Sequence, residues 1–279
     1  MPRIVCCGII SRGLALYDGK IFRTTLDANV IALDQKTGTV VVASATCVAQ
    51  AGFARRQPPA RDLMDIQAIV APGKGVAAAQ AAVDNTRANQ KLIYAELEKG
   101  TDPVQIIELL KQDPNFDSRQ FGILDMQGRH AGSSGSKNQA SSLHEQGQVP
   151  GTGIWYSIQG NILKSDEVVH AAVAAFSAEK GSLTDRVMAA MEAADSKGGD
   201  SRCTCDSEPK VDAPCTTKTA HVSYILRAEK ADANKQSFND GDYAMYVSVT
   251  NEDIKPTENA NPVKTLRLRY DAWKKSHTR

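Results

Sequence analysis

The stretch Ile154-Trp155-Tyr156-Ser157-Ile158-Gln159-Gly160-Asn161-Ile162-Leu163 reads as an alternating strand that breaks at Gln-Gly-Asn. Ser165-Asp166-Glu167 follows at once as an acidic helix start. Gly160 lets the backbone take a positive φ or approach another group, while Gln159 and Asn161 put amide side chains at the strand's end. Such strand-to-helix junctions are where α/β proteins build binding sites, although an Asn that caps its own backbone has the same spelling.

Toward the C-terminus, the helix from Asp166 puts Val168, Val169, Ala172, Val173 and Phe176 on one face. A second helix over 183–194 turns Val187, Met188 and Met191 inward and ends at Gly198-Gly199. Residues 219–227 and 243–250 read as strands, and Asn261-Pro262 opens a last helix over 263–275. Toward the N-terminus, residues 29–34 (NVIALD) and 39–47 (TVVVASATC) form a hairpin around a Gln-Lys-Thr-Gly turn. Residues 52–62 read as loop, 66–70 as a strand, and 75–99 as a helix ending at Gly100. Asp102-Pro103 starts another helix, with Ile106, Ile107, Leu109 and Leu110 as its stripe. Residues 120–126 and 130–134 pair across Gln127-Gly128, and 136–153 is a polar loop.

Hairpins separated by helix pairs predict an α+β fold, a four-layer αββα sandwich with mostly antiparallel sheets. The predicted single domain covers residues 27–279. Residues 1–26 are read as an extension outside it, because Arg12, Asp18, Lys20 and Arg23 interrupt the apolar start.

The 279 residues carry 33 basic and 32 acidic side chains, a net charge of +1, so neither nucleic acid nor an acidic membrane surface is expected as partner. No apolar run approaches the roughly 20 residues that span a bilayer. Of six cysteines, Cys47, Cys203, Cys205 and Cys215 fall inside the predicted domain. The turn-rich segment 203–215 suits disulfides, free thiols, or a metal site with His221, and the paired-cysteine spacing of a zinc knuckle is missing. Disulfides would favour an extracytoplasmic location, periplasmic or secreted.

Several chemistries fail on spelling. Gly132-Ser133-Ser134-Gly135 lacks the spacing of a nucleophile elbow, Gly151-x-Gly153 is a turn, and no Walker sequence occurs. The histidines are scattered and no carboxylate pair stands out. No cofactor is expected.

The strings 29–34, Thr37-Gly38, Ala43-Ser44, 75–80, Arg119-Gln120-Phe121-Gly122, 157–163 and Gly198-Gly199-Asp200 together resemble the family called domain of unknown function 1028. Its members resemble N-terminal-nucleophile (Ntn) hydrolases in fold, and the likeness covers about residues 27–275. One departure concerns the first strand. The family usually opens it with a Thr-aromatic-Ser run, whereas this chain reads Thr24-Thr25-Leu26-Asp27-Ala28-Asn29. The cysteine segment is an addition relative to shorter relatives.

The resemblance implies that Thr25, freed by removal of the residues before it, attacks an amide carbonyl. Its own α-amino group, with an ordinary pKa of about 7.7–8.0, takes the proton. Asn161 and the Gly160 N–H would face the oxyanion. Ser44, Gln80 and Gln159 would line the substrate pocket, and Asp200 would orient an amine. The expected function is hydrolysis of a small amide or peptide-like bond. The alternative is a non-catalytic binding or surface-associated protein on the same fold. The alanines at 171, 172, 174 and 175 would suit a homodimer.

Overall fold

The computed structural model describes residues 14–17, 20–23, 27–56, 59–208 and 212–277, with side chains described from Ala28 onward. Strands β1 (Leu14–Tyr17) and β2 (Lys20–Arg23) pair with each other as a separate two-stranded sheet. The main body opens with β3 (Asp27–Asp34) and β4 (Thr39–Thr46), joined by a turn in which Gly38 takes φ +75°. Short helices α1 (Ala51–Ala54) and α2 (Leu63–Gln67) lead to β5 (Ala68–Ala71) and β6 (Gly75–Ala81).

Helices α3 (Ala88–Lys99) and α4 (Pro103–Leu110) follow. The Asp102 carboxylate accepts from the Val104 N–H, and Pro103 occupies the first turn, where a missing donor costs nothing. Four strands come next: β7 (Arg119–Asp125), β8 (His130–Ser134), β9 (Leu143–Gln148) and β10 (Ile154–Gly160). Then come α5 (Glu167–Ala178) and α6 (Leu183–Ser196), the latter started by a reciprocal Ser182–Asp185 capping box. Strands β11 (Val222–Ala228) and β12 (Met245–Thr250) precede α7 (Pro262–His277).

The strands form a six-stranded sheet, ordered β12-β11-β4-β3-β10-β9, and a four-stranded sheet, ordered β5-β6-β7-β8. Every pairing is antiparallel. The chain is therefore a mixed α+β protein with antiparallel sheets.

Strand alternation sorts side chains into distinct cores. Val30, Ala32, Val41 and Ala43 of the six-stranded sheet pack with Val168, Phe176, Val187 and Leu266 from α5, α6 and α7. Ile31, Leu33, Val40 and Val42 point the other way, toward Val76, Ala78 and Leu124 of the four-stranded sheet. Beyond that sheet, Ala77, Ala79, Phe121 and Ile123 meet Ile93, Leu97 and Ile106 of α3 and α4. At one end the face between the sheets turns polar: Asn29, Ser44, Gln80, Gln120, Ser157 and Gln159 replace aliphatic residues, all at most 1% exposed.

Three expectations from sequence need revision. Residues 75–99 are not one helix: 75–81 is the buried strand β6, paired with β5 and β7, and the helix begins at Ala88. GVAAAQA is rich in a strong helix former, and a strand buried on both faces shows no alternation, so pairing overrode propensity. The polar segment 136–153 contains the edge strand β9, half-buried over most of its length. Residues 52–62 were expected to be loop, but α1 occupies 51–54.

Candidate functional site

Register brings the start of β3 to the Gln-Gly-Asn corner. Ala28 lies across from Gly160 on β10 and from Ala45 on β4, and Asn29 lies across from Gln159 and Ser44. Residues 24–26 just before β3 include Thr25, which lies outside the described residues.

The corner is held firmly. Ser44 Oγ donates to the Ala28 carbonyl at 2.7 Å. After Gly160, Asn161 is fully buried, and Ile162 takes φ +51°, a left-handed conformation rare for a β-branched residue. Two neighbouring segments impose it: Ile162 N–H donates to Gln139 O at 3.2 Å, and Ser201 N–H donates to Ile162 O at 3.0 Å. Ala81, directly after Gln80, is likewise left-handed at φ +68°. Strain of this sort persists where surrounding structure over-determines it, and it concentrates at functional sites.

Across the gap, Gln80 and Gln120 complete an amide array. Asn29 Nδ2 donates to Gln80 Oε1, and Gln80 Nε2 to Gln120 Oε1, which also accepts from Asn161 Nδ2 at 3.1 Å. Gln120 Nε2 donates to Ser134 Oγ at 2.9 Å, Leu143 O at 3.2 Å and Gly160 O at 3.0 Å. Gln120 is thus a hub joining β6, β8, β9 and the β10 corner. The array is not closed. Asn29 Oδ1, Asn161 Oδ1 and both polar atoms of Gln159 have no hydrogen-bond partner among the described residues. Leaving such buried groups unmatched costs about 1–3 kcal/mol each.

Asp200 sits behind the corner rather than in the array. Leu163 bridges to it, and its carboxylate accepts from the Cys47 N–H at 3.2 Å and from Arg202 Nε at 2.9 Å. With both oxygens engaged by Arg202, Asp200 braces the loop. Cys47 is disulfide-bonded to Cys203, and Cys205 to Cys215. Those sulfurs are therefore not thiolates free to hold a metal. Both bonds fit an oxidising compartment.

His221 Nδ1 lies 2.9 Å from Cys47 O, and its Nε2 lies 3.1 Å from Ser207 O, tying the cysteine loop to the end of β4. Burial, helped by the nearby Lys218 ammonium, pushes the His221 imidazole below its ordinary pKa. Burial also lowers His144, which lies opposite Gln159 on β9.

Of the residues singled out from sequence, Gly160, Asn161, Gln159, Ser44 and Gln80 come together, and Asp200 buttresses them. Sequence reading missed Asn29, Gln120 and Ser157 as members. Parity was the available signal: Gln80, between Ala79 and Ala81, pairs directly with Gln120, between Arg119 and Phe121, across β6 and β7.

Antiparallel sheets, helices packed against them and a cluster of buried amides define a mixed α+β protein. Residues 29–209 match the model "Family of unknown function (DUF1028)", and the chain belongs to that family. A crystal structure of a Silicibacter pomeroyi protein described by the same family model aligns with TM-score 0.61 at 20% identity. It covers 89% of each chain, a likeness of fold.

Two enzymes share a short segment with this chain. Over 35 residues it is 57% identical to a lanthanide-dependent methanol dehydrogenase of Methylacidiphilum fumariolicum, 12% of this chain and 6% of that protein. Over 36 residues it is 56% identical to a 1-butanol dehydrogenase (quinone) of Thauera butanivorans, 13% of this chain and 6% of that one. The chain spans about 6% of the length of these relatives. Among the described residues no helix is long and apolar enough to cross a membrane.

Proposed function

We propose that this chain is an Ntn-type hydrolase of a small amide or peptide-like bond, built on a four-layer αββα sandwich. The successive cores, helix against sheet, sheet against sheet and sheet against helix, support the layering. The pairing of Ala28 with Gly160 carries the catalytic reading, because it sets the head of β3 beside Asn161. A chain liberated at Thr25 would start two residues before β3. Its hydroxyl would attack the amide carbonyl, its α-amino group would take the proton, and the amine would leave before water releases the acyl group. Asn161 would face the oxyanion. Its NH2 carries two hydrogens and has one observed acceptor, Gln120.

N-terminal sequencing of native material tests the first requirement. The reading expects a start at Thr25, and turnover of small amides that Thr25→Ala abolishes. Equal turnover by both forms removes Thr25 from the role.

A non-catalytic binding protein on the same fold is the second reading. It is favoured by the complete burial of Asn161 and its bond to Gln120, which a purely structural network would also show. Retention of the residues before Thr25 in the native protein would support it. In either reading the two disulfides favour a protein that works outside the cytoplasm. A homodimer through α5 would use the exposed Ala174, since Ala172 is buried against the protein's own core.

A further inference from the structure

The amides that remain unmatched define what the seam between the sheets would accept. Asn29, Gln159 and Asn161 are at most 1% exposed. Among the described residues, the atoms of these side chains that lack a partner are the Asn29 and Asn161 Oδ1 acceptors and the Gln159 Oε1 and Nε2 pair. Gln120 needs nothing more, since the two hydrogens of its NH2 have three acceptors within reach and its Oε1 accepts twice. The seam therefore offers acceptor oxygens beside the Gln159 NH2 and the second hydrogens of the Asn29 and Asn161 NH2 groups. Gly122, on β7, is what makes room for the Gln159 side chain: a methyl group there would stand 2.8 Å from Gln159 Oε1.

Charge narrows the choice. The described inward-facing residues at this end of β3, β6, β7, β9 and β10 are Asn29, Gln80, Gln120, Gly122, His144, Ser157 and Gln159; none is an acid, a lysine or an arginine, and burial favours the neutral form of His144. An ion entering the seam would lose its hydration with no counter-charge from these side chains to replace it. A carboxylate would also meet acceptor oxygens without bringing a donor, and an ammonium would leave the Gln159 NH2 without an acceptor. A carboxamide or ureide brings N–H donors and a carbonyl together and carries no charge. Along the border of β8 and β9, Ser134, Ser142 and Gln146 are half-buried, so this is the side of the seam nearest solvent by residue exposure.

We propose that the seam is a binding site for a neutral carboxamide or ureide, held by Asn29, Gln159 and Asn161. This deepens the hydrolase reading, on which it rests for the position of the nucleophile, by making an uncharged amide the substrate class.

The test is binding, read separately from turnover. The full chain and Thr25→Ala, labelled with 15N, are titrated with acetamide, acetate and methylammonium, following the side-chain NH2 signals of Asn29, Gln159 and Asn161. Acetamide is expected to shift them saturably in both proteins, with acetate and methylammonium without effect. Gln159→Leu should weaken acetamide by about tenfold or more, the equivalent of one lost hydrogen bond. The isosteric Gln159→Glu provides the same test should the leucine variant not fold. Acetate binding as well as acetamide, no saturable shift with acetamide, or unweakened binding in a folded Gln159 variant would each overturn the proposal. Acetamide binding without turnover of any amide by the wild type would leave the site standing and remove only the hydrolase reading.

Discussion

Asn29 on β3 donates its side-chain amide to Gln80 on β6, joining two sheets that share no strand ladder. The bond passes on to Gln120 and returns through Asn161 to the sheet where it began. Over most of the remaining face between the sheets apolar side chains provide cohesion without direction. Here directional bonds fix how the two sheets sit against each other at the corner that holds Gly160.

Gln120 is the member whose loss should matter most. Gln120→Leu keeps the volume but removes the oxygen to which Gln80 and Asn161 donate and the N–H groups within reach of Ser134 Oγ, the Leu143 carbonyl and the Gly160 carbonyl, in a dry environment. A destabilisation of about 3 kcal/mol is expected, from more than one unmatched buried group. Urea unfolding measures it. A double-mutant cycle with Asn161→Ala should show coupling of about 1 kcal/mol, because the two side chains share a bond.

Gly122 is predicted to be equally intolerant, for a steric reason. An added Cβ would lie 2.6 Å from Ser157 Oγ and 2.8 Å from Gln159 Oε1, both on the opposite sheet. Gly122→Ala should cost about 1–3 kcal/mol through overpacking. Adding Ser157→Ala removes the nearer oxygen and should restore part of that loss in a thermal or urea melt. No restoration would show that the sheets yield elsewhere.

Much of this architecture was legible where local signals agree with tertiary ones. The 29–34 and 39–47 hairpin, the Asp102-Pro103 helix start and the strand at 154–160 each combine pattern with a turn or cap residue. Strand β6 was not legible, since its alanines favour helix and both its faces are buried. Strand β9, LHEQGQ, was hidden by polar residues that face the amide seam on one side and a half-exposed surface on the other. The corner at 159–161 could be found because Gly-Asn ends a strand. Gln120 could not, because its role depends on which strand of the other sheet lies opposite.

Stability toward acid should include a contribution from Asp185. Partial burial opposes its ionisation, but hydrogen bonds from Lys274, Ser182 and Tyr270 outweigh it and bring the carboxyl down to about 2 from an ordinary 3.8. The folded value lies below the unfolded one, so the contribution is complete above about pH 4 and fades as the pH falls toward 2. After allowance for solvent screening of this partly exposed group it is about 1 kcal/mol. Asp185→Asn should remove that share at pH 6 and make little difference near pH 2, when unfolding free energies are compared at the two pH values.

The two disulfides should contribute unequally. Cys47–Cys203 links residues 156 apart, whereas Cys205–Cys215 links residues 10 apart. Closing the longer loop removes more freedom from the unfolded chain: the chain-entropy relation gives about 5 kcal/mol for the first bond and about 2.7 kcal/mol for the second. The first also pins the end of β4, where Thr46 pairs with Asp27, to the segment that follows Asp200. Cys47→Ser with Cys203→Ser should therefore lower stability about 2 kcal/mol more than Cys205→Ser with Cys215→Ser. It should also raise amide hydrogen exchange at Ala28 and Gly160, which the shorter bond's removal should leave unchanged. Equal losses for the two double variants would mean that the long loop is already constrained in the unfolded chain, and that the first bond does not serve the corner.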